Sequence, residues 1–405
     1  MKRVVLCVFV SMLFALIAST TVVASGEVRE IRMSIEATGR IADEIQLQID
    51  RFNAMHEDIH VSVHTISGGD AYNQALLGQI AAGVAPDVFL LDGGTRLRMF
   101  VRYRALLPID ELVVEAGINT ENFEESLLSA FRVDGKLYGI PKDYNTTALF
   151  YHKEFLEEAG IEPPTTWDEL REAAQLLTTD ERYGFGMNPQ INYMLPFVES
   201  AGANFVHEDG IDLLALGSHE HQEALQFLVD MFATDESAVA PPMIGAGWDG
   251  EMFANKQVAM LYGGSWIPGV IEEKETIGAV PLPTLKHDAS MLYTAGWVVY
   301  ARSEHPEAAA TLIEFLTSDE ELVEGNKVGL IGLPPTKTAM EKLISEMDDD
   351  PLLAAYSEVV AYGTPFGWME PRFVDQYNRM MEVLIYRPGT KSVGQAIEDL
   401  VLELE

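Results

Sequence analysis

The chain has 405 residues, 48% of them hydrophobic, and a formal net charge of −36. That length exceeds one compact core of ordinary size and predicts two domains with a large buried interior. The charge disfavours DNA, RNA and anionic membrane surfaces, so no nucleic-acid role is expected.

Residues 1–24 read as a secretory signal peptide. Lys2 and Arg3 form a positive start, Val4 to Ala18 are almost continuously apolar, and Val22-Val23-Ala24 offers a small-residue cleavage site. The run is short and polar residues follow it, which argues against a membrane span. The one cysteine, Cys7, falls inside this leader. A mature chain cut after Ala24 therefore has no disulfide and no thiol nucleophile, and its charge becomes −38 once Lys2 and Arg3 are gone from −36. A cysteine-free exported protein of this size suits a bacterial periplasm.

Beyond the leader, Ile31 to Ile35 predicts a strand that ends at Glu36-Ala37-Thr38-Gly39. Ile41, Ile45, Ile49 and Phe52 then recur at helical spacing. Ile59, Val61 and Val63 alternate as a second strand, ending at Ser67 to Asp70, and Tyr72, Leu76 and Ile80 mark a second helix. A third strand, Asp87 to Leu91, ends at Asp92-Gly93-Gly94. The order β-α-β-α-β with short connections predicts a mostly parallel sheet covered by helices. Ligands of such sheets bind beyond the carboxyl ends of the strands. Three successive polar or glycine-rich strand ends at one edge point to a site there.

The stretch Gly135 to Gly160 begins like a hairpin. It then sets five polar residues, Asp143-Tyr144-Asn145-Thr146-Thr147, ahead of an apolar strand, Ala148 to Tyr151. Thr166 and Glu169 sit at capping-box spacing before a helix. A short strand follows at Tyr183 to Gly186, a helix at about Glu220 to Phe232, and a strand at Val258 to Tyr262 with a turn carrying Trp266. Later come a strand Val298 to Ala301, a helix from Pro306, a short helix from Ser318, and closing helices near Phe373 to Tyr386 and Val393 to Glu405.

The run "GKLYGIPKDYNTTALFYHKEFLEEAGIEPPTTWDEL" (Gly135 to Leu170) resembles the signature of extracellular solute-binding proteins of the maltose-binding type, the sugar-capturing subunits of bacterial ABC importers. "APDVFLLDGG", "FANKQVAMLYGGSW" and "AGWVVYARSEHPEAAATLIEFLTSDEE" follow the same family pattern in the same order. The resemblance implies an α/β, two-lobed periplasmic-binding-protein fold, each lobe a mixed sheet flanked by helices, with the ligand cleft between them. It implies an N-terminal lobe of residues 25–143 plus 290–328 and a C-terminal lobe of 144–289 plus 329–405. Asp143 to Thr147 becomes a hinge whose polar residues face ligand, with further crossings near Pro283 to Leu292 and Val328 to Leu333. The expected partners are a small carbohydrate and the permease subunits of an ABC importer in the inner membrane. The protein is expected to work as a monomer, without a cofactor or a catalytic residue.

A sugar site needs planar aromatics for C–H faces and amide or charged partners for hydroxyls. Among the five tryptophans, Trp167 reads as core. Trp266, after two glycines, matches a ligand-stacking aromatic of the family, and Trp297 and Gly296 open a strand beside it. Trp248 and Trp368 lie in glycine-rich loops and are candidates to line the cleft. Asp92 and Glu36 end strands at the predicted edge. Tyr144 and Asn145 lie on the hinge, Asn145 where maltose-binding relatives carry a ligand-contacting carboxylate. Tyr72, Tyr193 and Arg372 complete the candidates, and Phe366 fits either cleft or core. No nucleophile elbow, phosphate loop or dinucleotide fingerprint occurs. An exported glycoside hydrolase is the alternative class, since acidic residues abound, and a chemosensory binding protein would use the same cleft.

Overall fold

The computed structural model describes residues 28–404 except 208–209, 330, 348–349 and 367–368. The leader and Trp368 lie outside the described residues. Strand β1 (Arg29–Glu36) pairs in parallel with β2 (Ile59–Ile66) on one side and β3 (Val88–Asp92) on the other. Helices Arg40–Met55 and Gly69–Ala82 make the crossovers, as the hydrophobic periodicity predicts. The alternation in β2 is visible as burial of Ile59 and Val61 between exposed His60 and Ser62. A small hairpin, β4 (Arg132–Val133) and β5 (Lys136–Leu137), precedes the long strand β6 (Gly139–His152).

β6 is where the two lobes join. Its first half, Gly139 to Thr146, pairs antiparallel with β13 (Met291–Val299), which in turn pairs with β3. Its second half, Thr147 to Tyr151, pairs with β11 (Val258–Gly264), and Leu149 to His152 pair with β12 (Ile277–Val280). Beyond β11 lie β7 (Tyr183–Met187) and β10 (Ala238–Val239). The hairpin β8 (Val206–His207) and β9 (Gly210–Ile211) stands apart, and β14 (Thr364–Pro365) pairs with the start of β13. One sheet of ten strands therefore runs through both lobes.

The polar run is not an interruption. Asp143 to Thr147 are strand residues, and Thr146 and Thr147 are buried. Thr147 Oγ1 lies 2.6 Å from the Tyr262 hydroxyl, and Thr146 Oγ1 lies 2.9 Å from Ser290 Oγ. Buried hydroxyls are tolerated because each finds a partner. The strand expected at Val298 to Ala301 instead begins seven residues earlier and ends at Val299.

Each lobe has its own core. In the N-terminal lobe, Ile31, Phe52, Phe89 and Phe100 pack with Trp297, Leu312 and Phe315. In the C-terminal lobe the period of two along each strand separates two cores on opposite faces of the sheet. Leu149, Met260 and Tyr262 join Phe185 and Phe197 on one face; Ala148, Phe150 and Leu261 join Phe253 and Tyr356 on the other. Each fully buried Leu or Phe stabilises the fold by about 1.5–3 kcal/mol. The capping box is present: Thr166 Oγ1 accepts from Glu169 N–H, and Glu169 accepts from Thr166 N–H.

Candidate functional site

Strand register sets the frame of the site. Asp92, Ala295 and Asp143 lie side by side across β3, β13 and β6, and one step further Tyr293 pairs with Asn145. This row crosses from the carboxyl edge of the N-terminal sheet into the C-terminal lobe. Glu36, at the end of β1, is exposed on the same edge. Asp92 pairs with Arg96, one helical turn on. Its carboxyl is pushed above the usual range by the protein atoms crowding it, although Arg96 opposes this, Asp143 adds to it, and the side chain still keeps about half its exposure.

On the opposite side, Trp266 follows β11 and is 38% exposed. Its ring folds over Gly264, where an added Cβ would stand 2.3 Å from ring carbons. It meets Tyr293 edge-on at 5.8 Å between centroids, and Tyr293 meets Phe366 at 5.8 Å on its other side. Asn192 Nδ2 donates to the Tyr293 hydroxyl at 2.9 Å. Asn145 is half-buried, its Oδ1 accepting from Ser265 Oγ at 3.1 Å. Three aromatic rings thus stand beside the Asn145 amide, and the Asp92–Arg96 pair lies on the neighbouring strand, opposite Ala295.

Buried polar groups stand beside them. Tyr193 is buried with its hydroxyl beside Asp249, whose carboxyl burial pushes upward while Tyr193 and the Gly250 N–H pull it back. Glu199 accepts from Thr364 Oγ1 at 2.9 Å, and burial raises its carboxyl to about 7. Thr364 opens β14, two residues before Phe366, so Glu199 braces the segment that carries that ring.

One residue of the expected hinge joins several strands and loops. The Asp143 carboxylate accepts from Lys142 Nζ at 2.5 Å and from Gly332 N–H at 3.0 Å, while its carbonyl accepts from Thr294 Oγ1 at 2.7 Å. Tyr144 and Leu333 exchange backbone hydrogen bonds at 2.8–3.0 Å. Gly332 must be glycine here, since an added Cβ would stand 2.6 Å from the Tyr144 carbonyl oxygen.

Several candidates are corrected by this geometry. Trp297 does not reach the cleft: it is 2% exposed within the N-terminal core, because it lies two residues further into that lobe than Ala295, opposite Leu90 and Ile140. Gly296 is buried at a bulge, its missing Cβ making room for the Ile140 carbonyl and the Phe131 ring. Tyr72 is core, its hydroxyl 2.9 Å from Leu90 O and 3.1 Å from Ser34 O. Tyr144 points into the C-terminal core, where its hydroxyl lies 3.4 Å from Tyr356 O. Arg372 donates to Glu403 O at 3.1 Å on the closing helices. Trp248, the N-cap residue of the short helix Asp249–Ala254, makes no side-chain cap bond and stays 38% exposed, lining a depression with Gln190 and Asn378. Reading residues missed Tyr293, Arg96, Asn192 and Glu199. Tyr293 was signalled only by its alternation with Ala295 along β13.

A bilobal sheet with an aromatic and polar cluster at its crossing defines a ligand-capture fold. Residues 38–322 match the family model described as bacterial extracellular solute-binding protein, and the chain belongs to that family. It is 24% identical over 372 residues to the arabinooligosaccharide-binding protein of Bacillus subtilis, covering 83% of this chain and 81% of that protein. It is 25% identical over 318 residues to the lactose-binding protein of Rhizobium radiobacter, covering 72% and 73%. Among solved structures, the sugar-binding protein MalE from Xanthomonas citri superposes with a TM-score of 0.81 at 24% identity, over 92% of this chain and 96% of that one.

Proposed function

We propose that the protein captures a sugar, a mono- or oligosaccharide, between its lobes and delivers it to an ABC-type importer in the inner membrane. The observation that carries this reading is the Trp266–Tyr293–Phe366 cluster beside Asn145, with the Asp92–Arg96 pair on the adjoining strand. Exposed aromatic faces stack on the C–H patches of a pyranose, and flanking amide and charged groups bind its hydroxyls. Relatives named for arabinooligosaccharides and lactose support the same class of ligand. The lobes, 25–143 plus 290–328 and 144–289 plus 329–405, rotate about the crossings. Ligand contacts from both lobes favour the closed state over the open one. The closed form is the one the permease reads. The protein acts in the periplasm as a monomer, and makes or breaks no bond in the sugar.

The test is a thermal-shift screen of the mature protein against sugars, with polyols, amino acids and polyamines alongside. A ligand that binds only the native state raises the melting temperature. A sugar that does so, stays chemically unchanged overnight, and loses most of its shift in Trp266→Ala supports the reading. A sugar that is consumed replaces it with a hydrolase, and stabilisation by a non-sugar alone removes the carbohydrate assignment.

A further inference from the structure

Two rings of the cluster are anchored on one helix. Phe366 follows the short strand β14, which is held to the start of β13 by Thr364 N–H to Ser290 O and Phe366 N–H to Leu292 O, both at 2.8 Å. A third bond, Thr364 Oγ1 to Glu199, ties the segment to the helix Ile191–Ser200. Asn192 of the same helix donates to the Tyr293 hydroxyl. Asn192 and Glu199 are about two helical turns apart, which puts both on one face. That face therefore sets where Phe366 and Tyr293 meet.

The surroundings of Glu199 suit a neutral carboxyl. Burial raises it to about 7, and the Thr364 bond alone pulls it back. From β11, the Tyr262 hydroxyl lies near enough to feel its charge, and that hydroxyl is bonded to Thr147 at 2.6 Å. The loop after Leu285 packs on Ser200 through the N–H groups of Lys286 and His287. There Lys286 is taken by Glu223, Asp288 accepts from Thr284, and His287 lies against Gly202. A carboxylate offers about four lone-pair sites, and Thr364 fills one. The charged form is better served where water reaches it, and water enters only if the packed segment loosens.

We propose that Glu199 is a positioning residue of the capture site: its neutral carboxyl holds Thr364 and so seats Phe366 against Tyr293, and loss of its proton loosens that wall and weakens capture. The inference rests on the sugar-capture reading and adds a proton to it. Glu199 acts through Thr364 and Phe366. Linkage fixes the sign: the sugar binds more weakly as pH rises through the Glu199 titration, and bound sugar moves that titration to higher pH.

Isothermal titration of the mature protein at pH 6 and pH 8 tests it, with lactose, maltotriose and arabinobiose as probes. For a probe that binds, the wild-type Kd rises about five- to tenfold between the two pH values. Glu199→Gln keeps its pH 6 affinity at pH 8. Thr364→Val binds several-fold more weakly at pH 6 and loses the pH profile. A residue that only supports the fold would change the melting temperature and leave the pH profile of Kd as in wild type. A flat wild-type profile, or one that Glu199→Gln retains, overturns the role of Glu199 and leaves sugar capture standing. Binding of none of the three sugars at either pH overturns the role together with the reading beneath it. If Glu199→Gln does not fold, the carbon-13 carboxyl resonance of Glu199 in wild type decides. Its titration moves to higher pH when the sugar is added, and a titration unchanged by bound sugar overturns the proposal.

Discussion

Asp143 and Gly332, 189 residues apart in sequence, are joined by a 3.0 Å hydrogen bond from the glycine N–H to the carboxylate. Asp143 is at the crossing of β6, and Gly332 belongs to the third expected crossing. The bond thus ties two of the expected crossing segments to each other, and Thr294 of β13, two residues past the other expected crossing, joins them through the Asp143 carbonyl. Hinge bending must conserve this knot or break it. Lys142 and Asp143 are 8% and 9% exposed, so removing one charge strands the other. Asp143→Ala is expected to cost about 3–5 kcal/mol, the usual penalty for leaving a buried ion without its partner. Urea unfolding measures it, and a loss under 1 kcal/mol would show that the pair contributes little.

Glu199 gives stability a pH dependence of known sign. Its folded carboxyl titrates at about 7, above the ordinary value of 4.5, so the folded state holds a proton that the unfolded state releases. Stability is then full below pH 4.5, falls as pH rises towards 7, and stays reduced above it. Glu199→Gln keeps an acceptor for Thr364 but no charge. The variant is expected to melt several degrees above wild type at pH 8 and level with it at pH 4. Equal offsets at both pH values would refute the assignment. His221 runs the other way: burial lowers it to about 4, so its neutral state supports the fold above 6.5 and that support declines towards 4. Comparing variant with wild type at each pH separates the two.

Trp297 offers a contrast between stacking and packing. Trp297→Ala empties the N-terminal core and is expected to cost about 3–5 kcal/mol in chemical denaturation. Any sugar bound by wild type should keep its affinity for the folded variant. Trp266→Ala should show the reverse pattern, since that ring is 38% exposed. A sugar Kd that rises tenfold in folded Trp297→Ala protein would return Trp297 to the site.

Gly296 is expected to accept no side chain. In Gly296→Ala the Cβ meets the Ile140 carbonyl oxygen at 2.6 Å and the Phe131 ring at 2.6 Å. Backbone cannot move aside as a side-chain tip can, and strain of this kind costs about 1–3 kcal/mol. A melting temperature within a degree of wild type would show that β13 and β6 yield more readily than the packing implies.

Much of the fold could be read from local pattern. The first three strands, their crossovers, the capping box at Thr166 and the helix opening at Pro306 are all set by periodicity or caps within a few residues. What could not be read depends on long-range pairing. The polar run 143–147 reads as an interruption because its partners, Ser265, Ser290 and Gly332, are more than a hundred residues away. Trp297 and Tyr293 both follow the turn-like segment before β13, and only the strand register decides which of them meets Trp266. The register shift at Ala295/Gly296 alters the pairing between them, and such bulges leave no clear mark in sequence.

The long strands β6 and β13 also order events during synthesis. β3 lacks its antiparallel neighbour until β13 emerges, close to residue 299 of 405. Helix Pro306–Leu316, which seals the same core, comes later still. The N-terminal half therefore cannot complete its interior while the chain is being made from its first residue onward. A polypeptide that stays open until three-quarters of it exists is well suited to being threaded through a narrow export channel before it folds.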